Sequence, residues 1–367
     1  MGRSSSALAS LGRTLIIGNP SSHSGRGQAA VTAVSALFEH HPHAASFVEI
    51  YRTRHEGDAL RRAADAAGFD TVIAVGGDGV IHDVVNGLMR VTPALRPALG
   101  IVAVGTGNDF ARTLGAPRNN PQASITSIVT GFQQPIDIGR VNDQYFMETL
   151  SFGLDAAVAI GTITDRDDKA ERNGATVYAR SAFTTITRAG TGWSGTMRFD
   201  GAQPQRFNSL IFAVQNGPTY GAGFRITPGA TPTDGLLDTC FSVGRPTVPE
   251  IAVVIGLARI GHHTRSKALQ FQRTRQLIID FDTVQRAGHV RGYVSRRFAS
   301  AAADVANALT PHLHHADSAE HRMNAPVVPC QVDGEAYVPA NNATHFDISV
   351  IPRALRVFVP RLGARRI

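Results

Sequence analysis

Cysteine is scarce in this chain, since Cys240 and Cys330 are the only two among 367 residues. Neither belongs to a pattern with metal-ligand spacing, and two cysteines cannot form the disulfide framework of a small secreted domain. We therefore expect free thiols and a reducing, cytoplasmic environment. One disulfide between the two cysteines is the alternative that the sequence leaves open.

Long apolar runs are also missing. The best candidate, residues 251–261, is shorter than the ~18 residues that a membrane-spanning helix needs, and Arg259 interrupts it. Residues 1–13 lack the apolar core of a signal peptide. With 43% apolar and 18% charged residues, the composition is that of a globular protein, and 367 residues favour two domains over one core.

Two common nucleotide-binding patterns are absent as well: GxxxxGK[ST], and GxGxxG after a strand. In their place, the apolar run 71–75 leads into Gly76-Gly77-Asp78-Gly79 and then a helical pattern. Glycines let backbone N–H groups approach an anion, and the helix N-terminus adds partial positive charge. A carboxylate beside phosphate is tolerated mainly when a cation such as Mg²⁺ lies between them.

A second loop of the same kind follows, because the apolar run 99–104 leads into GTGNDFAR at 105–112. Parallel strands deliver their C-terminal loops to one edge of the sheet, where open α/β folds bind ligands. The two loops together predict one phosphate-binding site. Either loop alone would also fit an ordinary strand-to-helix turn.

Negative charge is in deficit: the formal net charge is +7, and the sequence pI is about 10.0. This balance favours an anionic partner such as a nucleotide, a nucleic acid or an acidic lipid surface, although solubility alone would also account for it. No basic motif interleaved with aromatic residues is present. We therefore expect no nucleic-acid partner.

The order of the patterns predicts two halves. Residues 13–137 alternate apolar strands with helical stretches, which predicts an α/β domain with a doubly wound parallel sheet. Its expected strands are 14–18, 46–51, 71–75 and 99–104, and its expected helices are 28–38, 58–67, 80–89 and 123–129. The following residues predict a β-rich domain that resembles an antiparallel β-sandwich. Its expected strands are 144–150, 196–200, 209–216, 235–242 and 276–282, with helices at 179–187 and 248–259 and an extra helical segment within 283–326.

These motifs resemble, in order, the catalytic domain of the diacylglycerol kinase family, especially the soluble bacterial lipid kinases of the NAD kinase/diacylglycerol kinase superfamily. The matching strings are Asn19-Pro20, GGDG at 76–79, GTGNDFAR at 105–112, PIDIG at 135–139, the stretch 227–238 and QVDGE at 331–335. The resemblance implies an ATP-binding domain at 13–137, to which 350–364 returns. It also implies a lipid-substrate domain at 138–349.

The resemblance also implies the site residues. The candidates for ATP binding are Asn19, Thr53, Gly76, Gly77, Asp78, Gly79, Asp83, Thr106 and Asn108. Asp78, Asp109 and Asp137 would hold Mg²⁺, and Asp234 with the backbone carbonyls of Thr231 and Leu236 would hold a structural Mg²⁺. Without the resemblance, Asp109 reads as a helix N-cap, and Asp137 and Asp234 read as turn acids.

Asp333 is the candidate base, because the family's Asp-Gly-Glu lies at the interdomain cleft and could take the proton of a lipid hydroxyl. Glu335 is the alternate candidate, and a plain hairpin turn is the other reading of this Asp-Gly. The chain departs from the family at Val80, usually Thr, and at His82-Asp83, usually Asn-Glu. These departures predict altered nucleotide geometry or reduced catalysis.

The sequence thus predicts an ATP- and Mg²⁺-dependent lipid kinase, peripheral to an anionic membrane surface, that converts diacylglycerol to phosphatidic acid. The alternatives are a kinase of the same fold for a sphingoid base, phosphatidylglycerol or a polyprenol, and a nucleotide or lipid sensor with little turnover. An NAD kinase is a weaker alternative. A homodimer is compatible with the sequence.

Overall fold

The structure is a computed structural model, which describes residues 11–22, 26–40, 42–156, 192–244, 248–282, 328–337 and 344–361, together with 246 and 339. Its first part is a parallel sheet in the order β2-β1-β3-β4. The strands are β1 (Arg13–Gly18), β2 (Phe47–Arg52), β3 (Thr71–Gly76) and β4 (Ala98–Ala103). The helices are α1 (Arg26–His40), α2 (Asp58–Ala64), α3 (Asp78–Arg90), α4 (Asp109–Thr113) and α5 (Pro121–Thr130).

Helices cover both faces of this sheet. Leu15 of β1 packs in one core with α2 and α3, whereas its neighbour Ile16 packs in a second core with α1 and α5. Successive residues of a strand point to opposite faces, so an uninterrupted apolar strand needs cover on both sides. The predicted doubly wound parallel sheet is confirmed.

The strand order reverses between β1 and β3. In open α/β sheets the ligand crevice lies outside the carboxyl ends of the strands at such a reversal. Here those ends are Gly18, followed by Asn19, and Gly76, followed by Gly77. The fold therefore places the predicted glycine loop at the expected crevice.

The second part is β-rich. Among the described residues, its strands are β5 (Phe132–Val141), β6 (Gln144–Phe146), β7 (Thr149–Gly153), β8 (Trp193–Phe199), β9 (Gln205–Ser209), β10 (Ile211–Gln215), β11 (Leu237–Ser242), β12 (Leu269–Thr274), β13 (Gln276–Phe281), β14 (Cys330–Val332), β15 (Glu335–Ala336) and β16 (His345–Val359). The same residues include the α-helix α6 (Val248–Ala258). The first sheet continues beyond β4 through β16 to β13, β8 and β9. A second, antiparallel sheet with the order β12-β11-β10-β7-β14-β15 faces these last strands. Between them Phe152 packs edge-to-face on Phe346, with ring centroids 4.7 Å apart. The predicted antiparallel β-rich second part is confirmed.

Strand β16 connects the two parts. It pairs antiparallel with β13 and β5, and Val357 then pairs in parallel with Leu99 of β4. The register shifts between Ile351 and Leu355, next to Arg353 with its φ of 53°. The predicted limit between the domains at 137 falls inside β5 and stays a prediction.

Several details differ from the sequence expectation. The predicted strand 144–150 is two strands, and β12 was not predicted because four of its six side chains are exposed, which removes the apolar alternation. The predicted helix 179–187 and the helical segment 283–326 lie outside the described residues. Cys240 and Cys330 are both buried and free. None of the helices in the described ranges has the length and apolar character to cross a bilayer.

Candidate active site

The two glycine loops are in backbone contact. The Val104 N–H donates to the Gly76 carbonyl over 2.9 Å. A Cβ atom built on Gly105 would lie only 2.8 Å from the Cα of Gly77. Any side chain at Gly105 would therefore push the loops apart, and the predicted common site depends on these glycines.

Asp78 ties the loops together. As the first residue of α3, it accepts the Asn108 N–H at Oδ2 over 2.7 Å and the Asp109 N–H at Oδ1 over 3.1 Å. Burial and the charge of Asp109 raise the pKa of Asp78 to about 6, although the two backbone N–H groups favour its charged form. The Asp78 carboxylate therefore lies against the cradle, which the loops at residues 76–79 and 105–108 form together, and its described hydrogen bonds include no positive side chain.

Asn108 shapes the second loop. Its backbone is left-handed, with φ 52°, and its side chain is bonded to Gly105 at both ends: Oδ1 accepts the Gly105 N–H over 2.9 Å and Nδ2 donates to the Gly105 carbonyl over 2.8 Å. Only 2% of Asn108 is exposed. The described contacts give it a structural role in the cradle.

Asp109 links the cradle to the β-rich part. Its Oδ2 accepts the Ala222 N–H over 2.8 Å, and its Oδ1 lies 3.4 Å from Arg112 Nε. Burial raises the pKa of Asp109, against the effect of these donors. Ala222 belongs to a turn in which Tyr220 and Phe224 exchange backbone hydrogen bonds of 2.9 Å.

Asp333 lies at the same cleft and has four hydrogen-bond donors. Its Oδ1 accepts the N–H groups of Glu148 (2.9 Å) and Thr149 (3.1 Å). Its Oδ2 accepts the Met147 N–H (3.0 Å) and contacts His82 Nδ1 (3.0 Å). A carboxylate offers about four acceptor positions, so the protein itself uses all of them. These contacts also explain the break between β6 and β7 at Met147 and Glu148.

His82 of α3 bridges to the β-rich part through Asp333. Its Nε2 lies 3.2 Å from Asn86 Nδ2. The Asn86 amide is oriented by Tyr145, because Oδ1 accepts the Tyr145 N–H and Nδ2 donates to the Tyr145 carbonyl, each over 3.0 Å. Burial lowers the pKa of His82, but the hydrogen bond to Asp333 and the neighbouring negative charges outweigh burial and raise it.

Glu335 lies over the start of α3. A Cβ built on Gly79 would meet Glu335 Oε1 at 2.6 Å, so the carboxylate occupies the space that this glycine leaves. Asp83 lies one turn further along the helix, and burial raises its pKa to about 6, with Glu335 contributing in the same direction. Glu335 is exposed on β15, in contrast to Asp333.

Glu148 is a site residue that the sequence interpretation missed. It is 3% exposed, and neither carboxylate oxygen has a hydrogen-bond partner. Burial raises its pKa well above the usual value, and the charges of Asp109, Asp333 and Asp78 add to this rise. A lone acid in the apolar run at 145–150 was the available signal.

The remaining predicted ATP residues surround the same edge. The Asn19 N–H donates to the Val75 carbonyl over 3.3 Å, and the Thr53 N–H donates to the Gly18 carbonyl over 2.9 Å. Thr106 lines a cavity of about 430 Å³, to which Arg112 and Arg118 also contribute. Two arginines make this cavity suited to an anion.

Asp137 groups with the Asp234 loop instead of the cradle. Its Oδ2 accepts the Gly235 N–H and its Oδ1 accepts the Arg353 N–H, each over 2.7 Å. Asp234 contacts the Arg273 guanidinium and accepts the Leu236 N–H over 3.0 Å. The metal roles of Asp137, Asp234 and the carbonyls of Thr231 and Leu236 stay predictions. Arg273 already pairs with Asp234, and its Nε also lies 3.5 Å from Asp238 Oδ1.

The cradle fits a cation better than the loop around Asp137 and Asp234 does. Asp78 and Asp109 supply hard oxygen donors. Burial raises the pKa of both carboxyls, and the charge of Asp109 adds to the rise for Asp78. Within the described ranges, no group of three or more His, Cys, Asp or Glu side chains is arranged to hold a metal. A magnesium ion at this position would therefore need further oxygens, such as those of a nucleotide.

A glycine cradle at the reversal of a doubly wound sheet, faced by acidic residues of a β-rich part, defines a protein with an N-terminal α/β domain and an antiparallel β-rich C-terminal domain. Residues 13–141 match the family model described as the diacylglycerol kinase catalytic domain, and residues 148–304 match the YegS C-terminal NAD kinase beta sandwich-like domain. The chain belongs to the diacylglycerol kinase family, a family of lipid kinases.

Named relatives agree with this assignment. A Mycobacterium tuberculosis protein named diacylglycerol kinase is 32% identical over 233 residues, which are 62% of this chain and 72% of that protein. A Bacillus subtilis protein of the same name is 47% identical over 105 residues, but the match spans only 28% of this chain and 34% of that protein. A crystal structure of a Bacillus anthracis diacylglycerol kinase shares the fold, with a TM-score of 0.66, 19% identity and coverage of 95% and 98% of the two chains.

Proposed function

We propose that this protein is an ATP- and Mg²⁺-dependent lipid kinase that transfers the γ-phosphate to a lipid hydroxyl, with diacylglycerol as the acceptor. One observation carries the proposal: Glu335, from the β-rich part, lies directly over Gly79 at the N-terminus of α3. A phosphate at that helix start would thus have a carboxylate beside it. Phosphoryl transfer needs little more than held phosphates, neutralised charge and an oriented acceptor.

The two loops would hold the nucleotide phosphates. Gly77 leaves room beside the backbone at the start of α3, where the helix dipole favours an anion. Asp78 and Asp109 would hold Mg²⁺, which would neutralise charge that builds up on the phosphates. The ordered carboxylate of Asp78, fixed by two backbone N–H groups, would enter this role already oriented.

Glu335 is the better candidate for the base that takes the acceptor proton. All acceptor positions of Asp333 are used by Met147, Glu148, Thr149 and His82, so a lipid hydroxyl would have to displace one of them. Glu335 is exposed at the start of α3, where an acceptor hydroxyl can approach its carboxylate from solvent. Asp333 is then a positioning residue that holds β14 and β15 against α3. The catalytic roles of both residues stay predictions.

The membrane partner has a candidate surface on α6 and its surroundings. Val253, Ile260 and Phe271 are exposed apolar residues, with exposed fractions of 60%, 56% and 37%. Arg259 and Lys267, close to Ile260 and Phe271 in the sequence, are exposed as well. We propose that this surface docks on an anionic bilayer, since apolar side chains enter the interface and each nearby basic residue contributes about 1 kcal/mol. The composition favours a cytoplasmic protein, and a cytoplasmic protein at the membrane periphery would reach its lipid substrate through this surface.

The test is phosphate transfer from γ-labelled ATP with Mg²⁺ to vesicles that each contain one acceptor: diacylglycerol, a sphingoid base, phosphatidylglycerol or a polyprenol. The proposal expects labelled phosphatidic acid from the diacylglycerol vesicles. Label in another lipid would keep the kinase and correct the acceptor. No labelled lipid, with ATP binding intact, would favour the sensor alternative and contradict the proposal.

A further inference from the structure

A second group of buried oxygen atoms, near the end of α4 and the β-rich part, has no hydrogen-bond partners. It comprises both carboxylate oxygens of Glu148, Oδ1 of Asn216 and the hydroxyl oxygens of Thr113 and Thr219, none of which has a partner. Glu148 is 3% exposed, Asn216 is 0% exposed and Thr219 is 6% exposed. An unpartnered buried polar atom costs about 1–3 kcal/mol, so several in one place call for an occupant.

The contacts place the Glu148 carboxylate beside the turn that carries Asn216 and Thr219 and beside the end of α4. A Cβ built on Gly217 would meet Glu148 Oε2 at 1.9 Å, so the carboxylate lies against the turn formed by residues 216–219. The Thr113 hydroxyl, at the end of α4, lies beside the Glu148 carboxylate and favours the charged form of Glu148. The geometry between the hydroxyl and the carboxylate is not that of a good hydrogen bond. The group therefore lies where α4 meets β7 and β10.

The hydrogen bonds of the Asn216 amide show which of its two ends is the oxygen. Its Nδ2 donates to the carbonyls of Asp137 and Met147, over 2.9 and 2.8 Å. The opposite end of the amide must then be the oxygen. The set consists of one carboxylate, one amide oxygen and two hydroxyls, which is the donor chemistry of hard cations.

The surrounding charge also calls for a cation. Asp109, Asp333 and Asp78 all act on Glu148 with the same sign, and none of the contacts described for Glu148 brings a positive side chain to it. Protonation of Glu148 would add a single donor and would leave the charges of its neighbours in place. A bound cation would neutralise Glu148 and relieve Asp109 and Asp333 as well.

We propose that Glu148, Asn216, Thr113 and Thr219 form a site for a hard divalent cation, separate from the Mg²⁺ that accompanies ATP. Only one acidic side chain contributes, so the site differs from a cluster of several acids. Ca²⁺ accepts amide, hydroxyl and carboxylate oxygens in irregular geometry, whereas Mg²⁺ retains its waters, so the site should prefer Ca²⁺. The cation would join α4 to the β-rich part and rigidify the cleft.

The test uses the full-length protein after chelator treatment, without nucleotide, and measures thermal unfolding during titration with CaCl₂ or MgCl₂. Wild type should show a Tm that rises with Ca²⁺ and rises less with Mg²⁺. Glu148→Gln keeps the shape but lacks the charge, so it should lose the Ca²⁺ response and be more stable than wild type in chelator. Thr219→Val should weaken Ca²⁺ binding about tenfold or more.

Thr227→Val is the matched control, because Thr227 is another buried threonine with an unpartnered hydroxyl, on a separate turn that it closes with Ala230. It should respond to Ca²⁺ as wild type does. A wild-type Tm that ignores both cations, or an equal Ca²⁺ response in Glu148→Gln, would overturn the proposal and leave Glu148 as a buried neutral acid. If Glu148→Gln does not fold, equal Ca²⁺ affinity of Thr219→Val and Thr227→Val would overturn it instead.

Discussion

Exchanging each of the two carboxylates of the Asp-Gly-Glu turn for its amide should separate stability from catalysis. In Asp333→Asn, the remaining oxygen can still accept the N–H groups of Glu148 and Thr149. The new NH₂ group would face the Met147 N–H, which now donates over 3.0 Å. That buried N–H would lose its acceptor.

The magnitude follows from these contacts. An orphaned buried donor costs about 1–3 kcal/mol, and the remaining bonds lose the strengthening that a charged acceptor gives, so we expect a loss of about 2–4 kcal/mol in the free energy of unfolding. Glu335 is exposed, so Glu335→Gln should change stability by about 0.5 kcal/mol or less. The loss of kcat should show the opposite order and be larger for Glu335→Gln than for Asp333→Asn. Removing the base should lower kcat by about 10²–10⁴, with KM for ATP nearly unchanged.

The assay combines urea unfolding with lipid phosphorylation, measured well below each variant's Tm. Glu39→Gln is the control for Glu335→Gln, because Glu39 is an exposed glutamate on α1. We expect Asp333→Asn to be unstable but active within about tenfold of wild type. The reverse result, a stable Asp333→Asn without turnover beside an active Glu335→Gln, would refute the reasoning and make Asp333 the base.

Four further substitutions test other parts of the account. His82→Asn removes the ion pair between His82 and Asp333, which stabilises the fold fully below the ordinary histidine pKa and is lost as pH rises through the raised pKa of His82. Urea unfolding across this pH range should show that wild type loses more stability than the variant. An equal loss of stability in both proteins would contradict the ion pair. Asp78→Asn should raise the Mg²⁺ concentration for half-maximal kinase activity about tenfold or more, and an unchanged Mg²⁺ response would remove Asp78 from the ion. Val80→Thr should leave kcat within about threefold, because the Val80 side chain packs against Gly76 and the backbone N–H is kept; a large rise would show that valine costs catalysis. Ile260→Ser should reduce cosedimentation with anionic vesicles without changing ATP affinity, and equal binding would exclude the α6 surface.

The fold was largely predictable because its signals are local. Each of β1, β3 and β4 is an apolar run that ends at a glycine loop or turn, and such runs need helices on both faces. Strand β12 escaped prediction because it is an edge strand with an exposed centre. The long strand β16 was anticipated only through the family resemblance, since pairing with both β4 and β13 is not encoded in its own pattern.

The site was predictable in its loops and less so in its contacts. Asp78 and the glycines follow directly from the motif, and the structure brings them together. The three backbone N–H groups that Asp333 accepts come from residues 147–149, nearly two hundred positions earlier, and no local pattern reports such contacts. The same holds for Glu148, whose lack of partners is a property of the packed interface between α4 and β10.

The most direct test of the central claim is the fate of the γ-phosphate when wild type and Glu335→Gln are given labelled ATP, Mg²⁺ and anionic vesicles that contain diacylglycerol. The account predicts label in phosphatidic acid with wild type, and about a hundredfold less or lower with Glu335→Gln, at equal ATP binding. Label found only in inorganic phosphate, or lipid labelling that is unchanged in Glu335→Gln, would contradict the claim that Glu335 completes a lipid kinase site on the glycine cradle.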